Sequence, residues 1–163
     1  MYLANQADFF RHLVENSQAL IYAVNVNGSL IYASPSWSVL LGYAPEEVMQ
    51  QSITNFLYPA DESAALPVEE RLLRSNDAEN EYQLRFQHRN GAVKWFHLHT
   101  VAVKDCQDHV AYVVANGYDI TAYKQRETEL REETDFFSSV FEALPDPLFV
   151  KDETHRMIGV NTA

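Results

Sequence analysis

Between Glu81 and Tyr118 the chain carries three long runs that read as consecutive strands, Glu81–Arg89, Val93–Lys104 and His109–Tyr118. Three adjacent antiparallel strands commit the chain to a sheet, and Asn90-Gly91 marks the first turn between them. The turn raises a question of register. A two-residue loop sets Leu84 opposite His97 and Arg85 opposite Phe96. A loop one residue longer sets Leu84 opposite Leu98 and Phe86 opposite Phe96. Opposed residues share a face, so the longer loop is the one that separates an apolar face from a mixed one. The expected inner face is then Tyr82, Leu84, Phe86, Phe96, Leu98 and Thr100, with Trp95, His97 and Val101 turned outward. Tyr112, Val114 and Tyr118 join the outer set if the last strand keeps its alternation.

The first half of the chain supplies shorter elements. Asp8–Ser17 reads as an amphipathic helix with Phe9, Phe10, Leu13 and Val14 on one side. Leu20–Val26 and Leu30–Ala33 are strands hinged at Asn27-Gly28. Ser34-Pro35 is a helix start, with Ser34 as N-cap and Gly42 closing the helix. Pro45-Glu46-Glu47 opens a second short helix, its acids placed where the helix dipole favours them. Asp61 caps a longer helix expected to run to about Ser75, with Pro67 as a kink or restart.

The last strand feeds without a break into a charged segment, GYDITAYKQRETELREETDFF (Gly117–Phe137). Positions 120, 123, 127, 130, 134, 137, 141 and 144 form a heptad seam, interrupted by Glu127 and Thr134. Phe136-Phe137 repeats Phe9-Phe10 at an offset of 127, which also aligns Glu15 with Glu142 and Ile31 with Ile158. The pattern of helix, strand, turn and strand matches across the two stretches, so a second copy of the first domain is expected to begin there. The expected organisation is an N-terminal helix over 1–19, a folded domain over 20–120, a helical connector over 121–138 and the truncated start of a second domain over 139–163.

A net charge of −11 argues against a nucleic-acid partner, which would require clustered Lys and Arg. The chain opens without a basic start or an apolar core, so no signal peptide is read. Asn16–Pro45 lacks charged side chains, but VNVNGS and SPS interrupt it well short of a membrane span. Cys106 is alone, which excludes a disulfide framework and a thiolate metal cluster and suits a reducing cytoplasm.

Four stretches, YASPSWSVLLGYAPEEV (Tyr32–Val48), LYPAD (Leu57–Asp61), EYQLRFQHRNGAVKWF (Glu81–Phe96) and GYDIT (Gly117–Thr121), follow one another in an order that resembles the PAS sensor domain. The likeness covers roughly Phe9 to Lys124 and resumes from Phe136 to Ala163. The chain departs from the family at Ser34, where Asn is usual, and at Tyr58, where His is usual. The resemblance implies an α+β fold: a five-stranded antiparallel sheet flanked by short helices, with an N-terminal amphipathic helix and a C-terminal linker helix. It implies a pocket between sheet and helices, for which we take Trp37, Leu72, Tyr82, Leu84, Phe86, Phe96 and Leu98 as the candidate lining. It also implies a sensory module of a bacterial signalling protein, with Asp119, Ile120 and Thr121 relaying its state to an output such as a histidine kinase or a diguanylate cyclase. The alternative is a ligand-free protein–protein interaction domain. Phe9, Phe10, Leu13, Val14, Trp95 and Tyr112 are the candidate surface of a homodimer.

No cofactor is expected. Flavin photochemistry of the light-sensing subclass needs a Cys at a helix start, whereas Cys106 lies in a turn. Phe86, Phe96 and Gly117 stand where that subclass uses flavin-binding amides. Haem-binding members offer a His from the long helix, and Asp61–Ser75 holds none. The apolar lining leaves room for an unidentified small ligand. His97 and His99 have a spacing that suits a metal, but both turn outward and no third ligand is evident, so no metal site is read. Asp119 and Thr121 fit helix N-capping without chemistry, and no catalytic constellation is present.

Overall fold

The computed structural model describes residues 6–61, 79–146 and 148–161. The chain forms two compact units, one up to Thr121 and one from Ala122. In the first, α1 (Gln6–Glu15) precedes β1 (Leu20–Asn25) and β2 (Leu30–Ala33), then α2 (Ser36–Leu40), α3 (Pro45–Val48) and a 3-10 turn at Ile53–Phe56. β3 (Glu79–Gln87), β4 (Val93–Lys104) and β5 (Val110–Asp119) complete a five-stranded antiparallel sheet in the order β2-β1-β5-β4-β3. In the second, α4 (Thr121–Ala143) is followed by the hairpin of β6 (Phe149–Lys151) and β7 (Met157–Val160).

The inner face of the sheet is the expected one. Leu84, Phe86, Phe96, Leu98 and Thr100 are buried, as are Val113, Ala115 and Leu20, Tyr22 and Val24 on the neighbouring strands. The β3–β4 register differs by two residues from expectation. Leu84 faces Phe96 and Tyr82 faces Leu98. The loop has three residues as anticipated, but they are Arg89, Asn90 and Gly91, closed by the His88 N–H on the Ala92 carbonyl at 2.8 Å. Gly91 sits at φ 88°, the left-handed last position of such a loop, and that requirement places the loop one residue earlier. A shift of two preserves which side chains share a face.

The core fills with rings meeting edge to face: Tyr22 on Trp37 at 5.8 Å, Trp37 on Phe56 at 5.4 Å, Tyr43 on Phe56 at 5.1 Å and Phe86 on Phe96 at 5.3 Å between centroids. Gly117 lets β5 approach: a Cβ there would stand 2.6 Å from Leu98 Cδ2.

Each edge strand of the sheet is bonded by chain outside the sheet, at Leu30 and at Arg85. Along β2, Leu30 donates to the Gln51 carbonyl and accepts from Gln50, each at 2.8 Å. Along β3, Arg85 accepts from the Tyr58 N–H at 2.8 Å and donates its own N–H to Asp61 Oδ2 at 2.8 Å.

Two local expectations, on Ser34 and Asp61, are corrected. Ser34 does not cap α2: Pro35 is the N-cap, and the Ser34 side chain is buried against β1. Asp61 lies within the helical residues 59–61 and directs its carboxylate to Arg85, so it is not an N-cap. The connector expected over 121–138 and the entry helix expected at Phe136-Phe137 are continuous, as one 23-residue helix that ends at Ala143. The rest of the helix expected from Asp61 to Ser75, with Pro67, falls outside the described residues.

The second hairpin repeats the first at the offset of 127. Tyr22 pairs with Ala33, Ala23 with Tyr32 and Val24 with Leu30, with a slip in register between Ala23 and Val24. Phe149 pairs with Val160, Val150 with Gly159 and Lys151 with Met157, with the slip at the equivalent place. The turns also agree. Asn25 Oδ1 accepts the N–H groups of Asn27 and Ser29, and Asp152 Oδ1 accepts those of Thr154 and Arg156. Gly28 and His155 hold the left-handed position, at φ 74° and 60°.

Candidate functional site

The inner wall of the sheet brings the candidate pocket residues together. Trp37, Phe86 and Phe96 are fully buried, Leu84 and Leu98 nearly so, and Tyr82 is half-buried. Leu72 lies outside the described residues. Trp37 reaches the wall because α2 follows β2 after two residues, and Gly42 at φ 78° turns the chain away behind it. Its indole N–H has no hydrogen-bond partner among the described residues. An unpartnered buried donor costs about 1–3 kcal/mol.

The candidate relay residues meet at β4. The Ile120 N–H donates to the Trp95 carbonyl at 2.8 Å, and the Trp95 N–H donates to Thr121 Oγ1 at 3.0 Å. Asp119 Oδ1 accepts the Thr121 N–H at 2.9 Å, and Lys94 Nζ lies 3.3 Å from Asp119 Oδ2. Burial works against the charge of Asp119, but the Thr121 hydroxyl and N–H together with Lys94 outweigh it and hold its pKa below the usual carboxylate range. Ile120 and Thr121 are thus tied to the sheet by the Trp95 backbone and by the Asp119 carboxylate, itself beside Lys94.

The candidate interface residues stand at two places in the first unit. Phe9, Phe10 and Leu13 on α1 are more than half exposed, and Val14 is half-buried. Trp95 and Tyr112 are half-buried on the outer face of the sheet, and the Trp95 ring lies 5.1 Å from the Arg85 guanidinium carbon. His97 Nε2 on that face is 3.4 Å from Glu81. Among the described residues no three His, Cys, Asp or Glu side chains gather as a metal site, and no helix is long and apolar enough to cross a membrane.

Sequence reasoning missed the Asp61–Arg85 pair. Asp61 Oδ1 accepts from Arg85 Nη2 at 2.6 Å and Oδ2 from Nε at 3.0 Å. The Arg85 hydrogen bonds hold the Asp61 carboxyl below its ordinary range, although burial opposes this, and Asp61 raises the guanidinium in turn. Alternation places Arg85 on the outer face, but nothing local in the sequence connects it to Asp61. Ser36 was missed as well: it donates to the Ala19 carbonyl at 2.6 Å and stands 2.6 Å from Ser34 Oγ.

Comparison with known proteins agrees with this geometry. Human neuronal PAS domain-containing protein 2 is 41% identical over 56 residues, which are 34% of this chain and 7% of that protein. This chain therefore spans a small fraction of that relative's length. A PAS domain structure from Colwellia psychrerythraea superposes with a TM-score of 0.65 at 16% identity, over 71% of this chain and 98% of that one. A sensory box histidine kinase/response regulator structure from Burkholderia thailandensis gives 0.62 at 23% identity, over 78% and 96%. A family model described as the PAS domain matches residues 17–122, well over half of the chain, and on that match, with the five-stranded antiparallel sheet, the chain belongs to the PAS domain family.

Proposed function

We propose that the chain is a sensory and dimerisation module of a multidomain bacterial signalling protein, working in the cytoplasm and relaying its state through α4 to a downstream output. The observation that carries this reading is the root of α4, where both backbone groups of Trp95 are bonded to Ile120 and Thr121. A shift of β4 within the sheet therefore moves the start of the helix. The exposed seam of α4, with Tyr123, Leu130 and Phe137, suits pairing with the same helix of a second copy. Its polar members Glu127 and Thr134 keep that pairing weak enough to be biased from the sheet. The output, a histidine kinase or a diguanylate cyclase, lies in other domains of the parent protein.

Residues 139–163 are the start of a second PAS domain in this reading. The matching register, the matching slip and the matching turn of the two hairpins support it. The module carries no flavin in this reading, because Phe86 and Phe96 at the flavin-contacting positions fill that space edge to face, and no haem, because Asp61–Ser75 offers no His. The input is a small apolar ligand at the inner wall or the state of a partner. The close edge-to-face packing of Trp37, Tyr22 and Phe56 favours the second source, and with it the reading as a ligand-free interaction domain.

The test is Thr121→Val in a protein that keeps its output domain. The module should stay folded and dimeric while the output stops following the input. An output that responds as in the wild type would refute the relay. Mass spectrometry of the purified protein under native conditions separates the two inputs, since a stoichiometric small molecule would decide for the ligand.

A further inference from the structure

Segments far apart in the chain converge on one cross-strand pair. Arg85 in β3 stands opposite Trp95 in β4. Asp61 holds Arg85 through Nε, Nη2 and the backbone N–H, while the Tyr58 N–H takes the Arg85 carbonyl. The guanidinium carbon lies 4.4 Å from the centroid of the Tyr58 ring and 5.1 Å from that of Trp95. Trp95, in turn, bonds Ile120 and Thr121 with its two backbone groups.

We propose that Arg85 is a positioning residue that couples the helical turn at residues 59–61 to the root of α4 through Trp95. The planar guanidinium is suited to this. Its fork matches the Asp61 carboxylate while its face lies against aromatic rings, and a lysine ammonium offers neither. The element has two discrete arrangements. With Asp61 engaged, the fork is fixed and Trp95 has a rigid neighbour. With Asp61 withdrawn, the guanidinium is free to turn into solvent and Trp95 loses that neighbour. Anything that displaces residues 58–61 from β3 selects the second arrangement, and the change reaches the two hydrogen bonds that seat α4. The proposal rests on the relay reading for its functional meaning and adds the point at which the signal joins the sheet.

Amide hydrogen exchange on the whole 163-residue chain tests it, comparing wild type with Asp61→Asn, Arg85→Met and Arg85→Lys. Exchange at the Ile120 amide, whose acceptor is Trp95, should rise about tenfold in Asp61→Asn and Arg85→Met, while Tyr22 and Ala115 in the β1–β5 ladder keep wild-type protection. Arg85→Lys, which keeps the charge without the fork, should behave as Arg85→Met. Asp61→Asn is nearly isosteric and covers the case in which Arg85→Met fails to fold. Two results would overturn the proposal. One is an Ile120 amide unchanged in Asp61→Asn although the Arg85 amide has lost protection. The other is an equal rise at Ile120, Tyr22 and Ala115, which marks a purely structural pair. An intact Ile120 response with an output indifferent to it would instead sink the relay reading and leave the coupling standing.

Discussion

Ser34 and Asn161, 127 residues apart, hold the same backbone positions in the two hairpins. Ile21 donates its N–H to Ser34 Oγ at 3.1 Å, and Leu148 donates to Asn161 Oδ1 at 2.7 Å. The Ala19 carbonyl is reached by Ser36 Oγ, and the equivalent Asp146 carbonyl by Asn161 Nδ2 at 3.0 Å. Ser36 donates to Ala19, so the proton between the two hydroxyls comes from Ser34. Two serines in series do what one asparagine does with its amide.

Ser36→Ala should therefore cost about 1–3 kcal/mol, since it orphans the Ala19 carbonyl and the Ser34 hydroxyl in a buried place. Adding Ser34→Asn to it should recover most of that loss, because the amide reaches both partners alone. Urea denaturation of the single and double variants checks this. A double variant no more stable than Ser36→Ala would show that the two sites are not interchangeable.

The Asp61–Arg85 pair predicts an acid-side loss of stability. The Asp61 pKa is lowered in the folded state, chiefly by the Arg85 hydrogen bond. Its contribution is complete above the unfolded-state value of about 3.9 and is lost as pH falls through the lower folded value. Asp61→Asn should cost about 2–3 kcal/mol at neutral pH and much less near pH 2, where the wild-type carboxyl is also neutral. Denaturation midpoints across that range measure it, and a cost independent of pH would contradict the charge argument.

Gly117→Ala should destabilise by about 1–3 kcal/mol, because its Cβ would stand 2.6 Å from Leu98 Cδ2. In a Leu98→Ala background the same change should be nearly neutral. A double-mutant cycle showing no coupling would mean that backbone, and not Leu98, limits the space.

Phe10→Glu with Leu13→Glu should leave the fold of each subunit intact by circular dichroism, since both side chains are more than half exposed within the single chain. Light scattering should then report a monomer in place of the proposed dimer. A dimer that survives both changes would move the interface away from α1.

The faces of the sheet were legible in the sequence because a period of two survives a shift of two, so the inner wall was right while the β3–β4 pairing was wrong. The pairing depended on which residue of the loop needs a left-handed backbone, and Gly91 rather than Asn90 decided it. The repeat was legible as pattern with few identities, since hairpin register depends on turn geometry more than on side-chain identity. The Asp61–Arg85 pair was not legible: the partners are 24 residues apart, and an acid beside a helix start reads first as a cap. Ser34 was misread for the same reason, its inward hydroxyl being set by β1 and not by the helix it precedes.

The occupied edges of the five-stranded sheet bear on how the chain behaves in a crowded solution. Residues 50–51 bond the β2 edge at Leu30 and residues 58–61 bond the β3 edge at Arg85, which interrupts the ladder that each edge offers to another molecule. The second hairpin has no such guard among the described residues: it is a two-stranded sheet, and Phe149, Met157, Ile158 and Val160 are more than half exposed. Shortening the chain to end after α4 should therefore remove its principal aggregation hazard, and concentrated solutions of the shorter protein should stay clear where those of the 163-residue chain turn turbid.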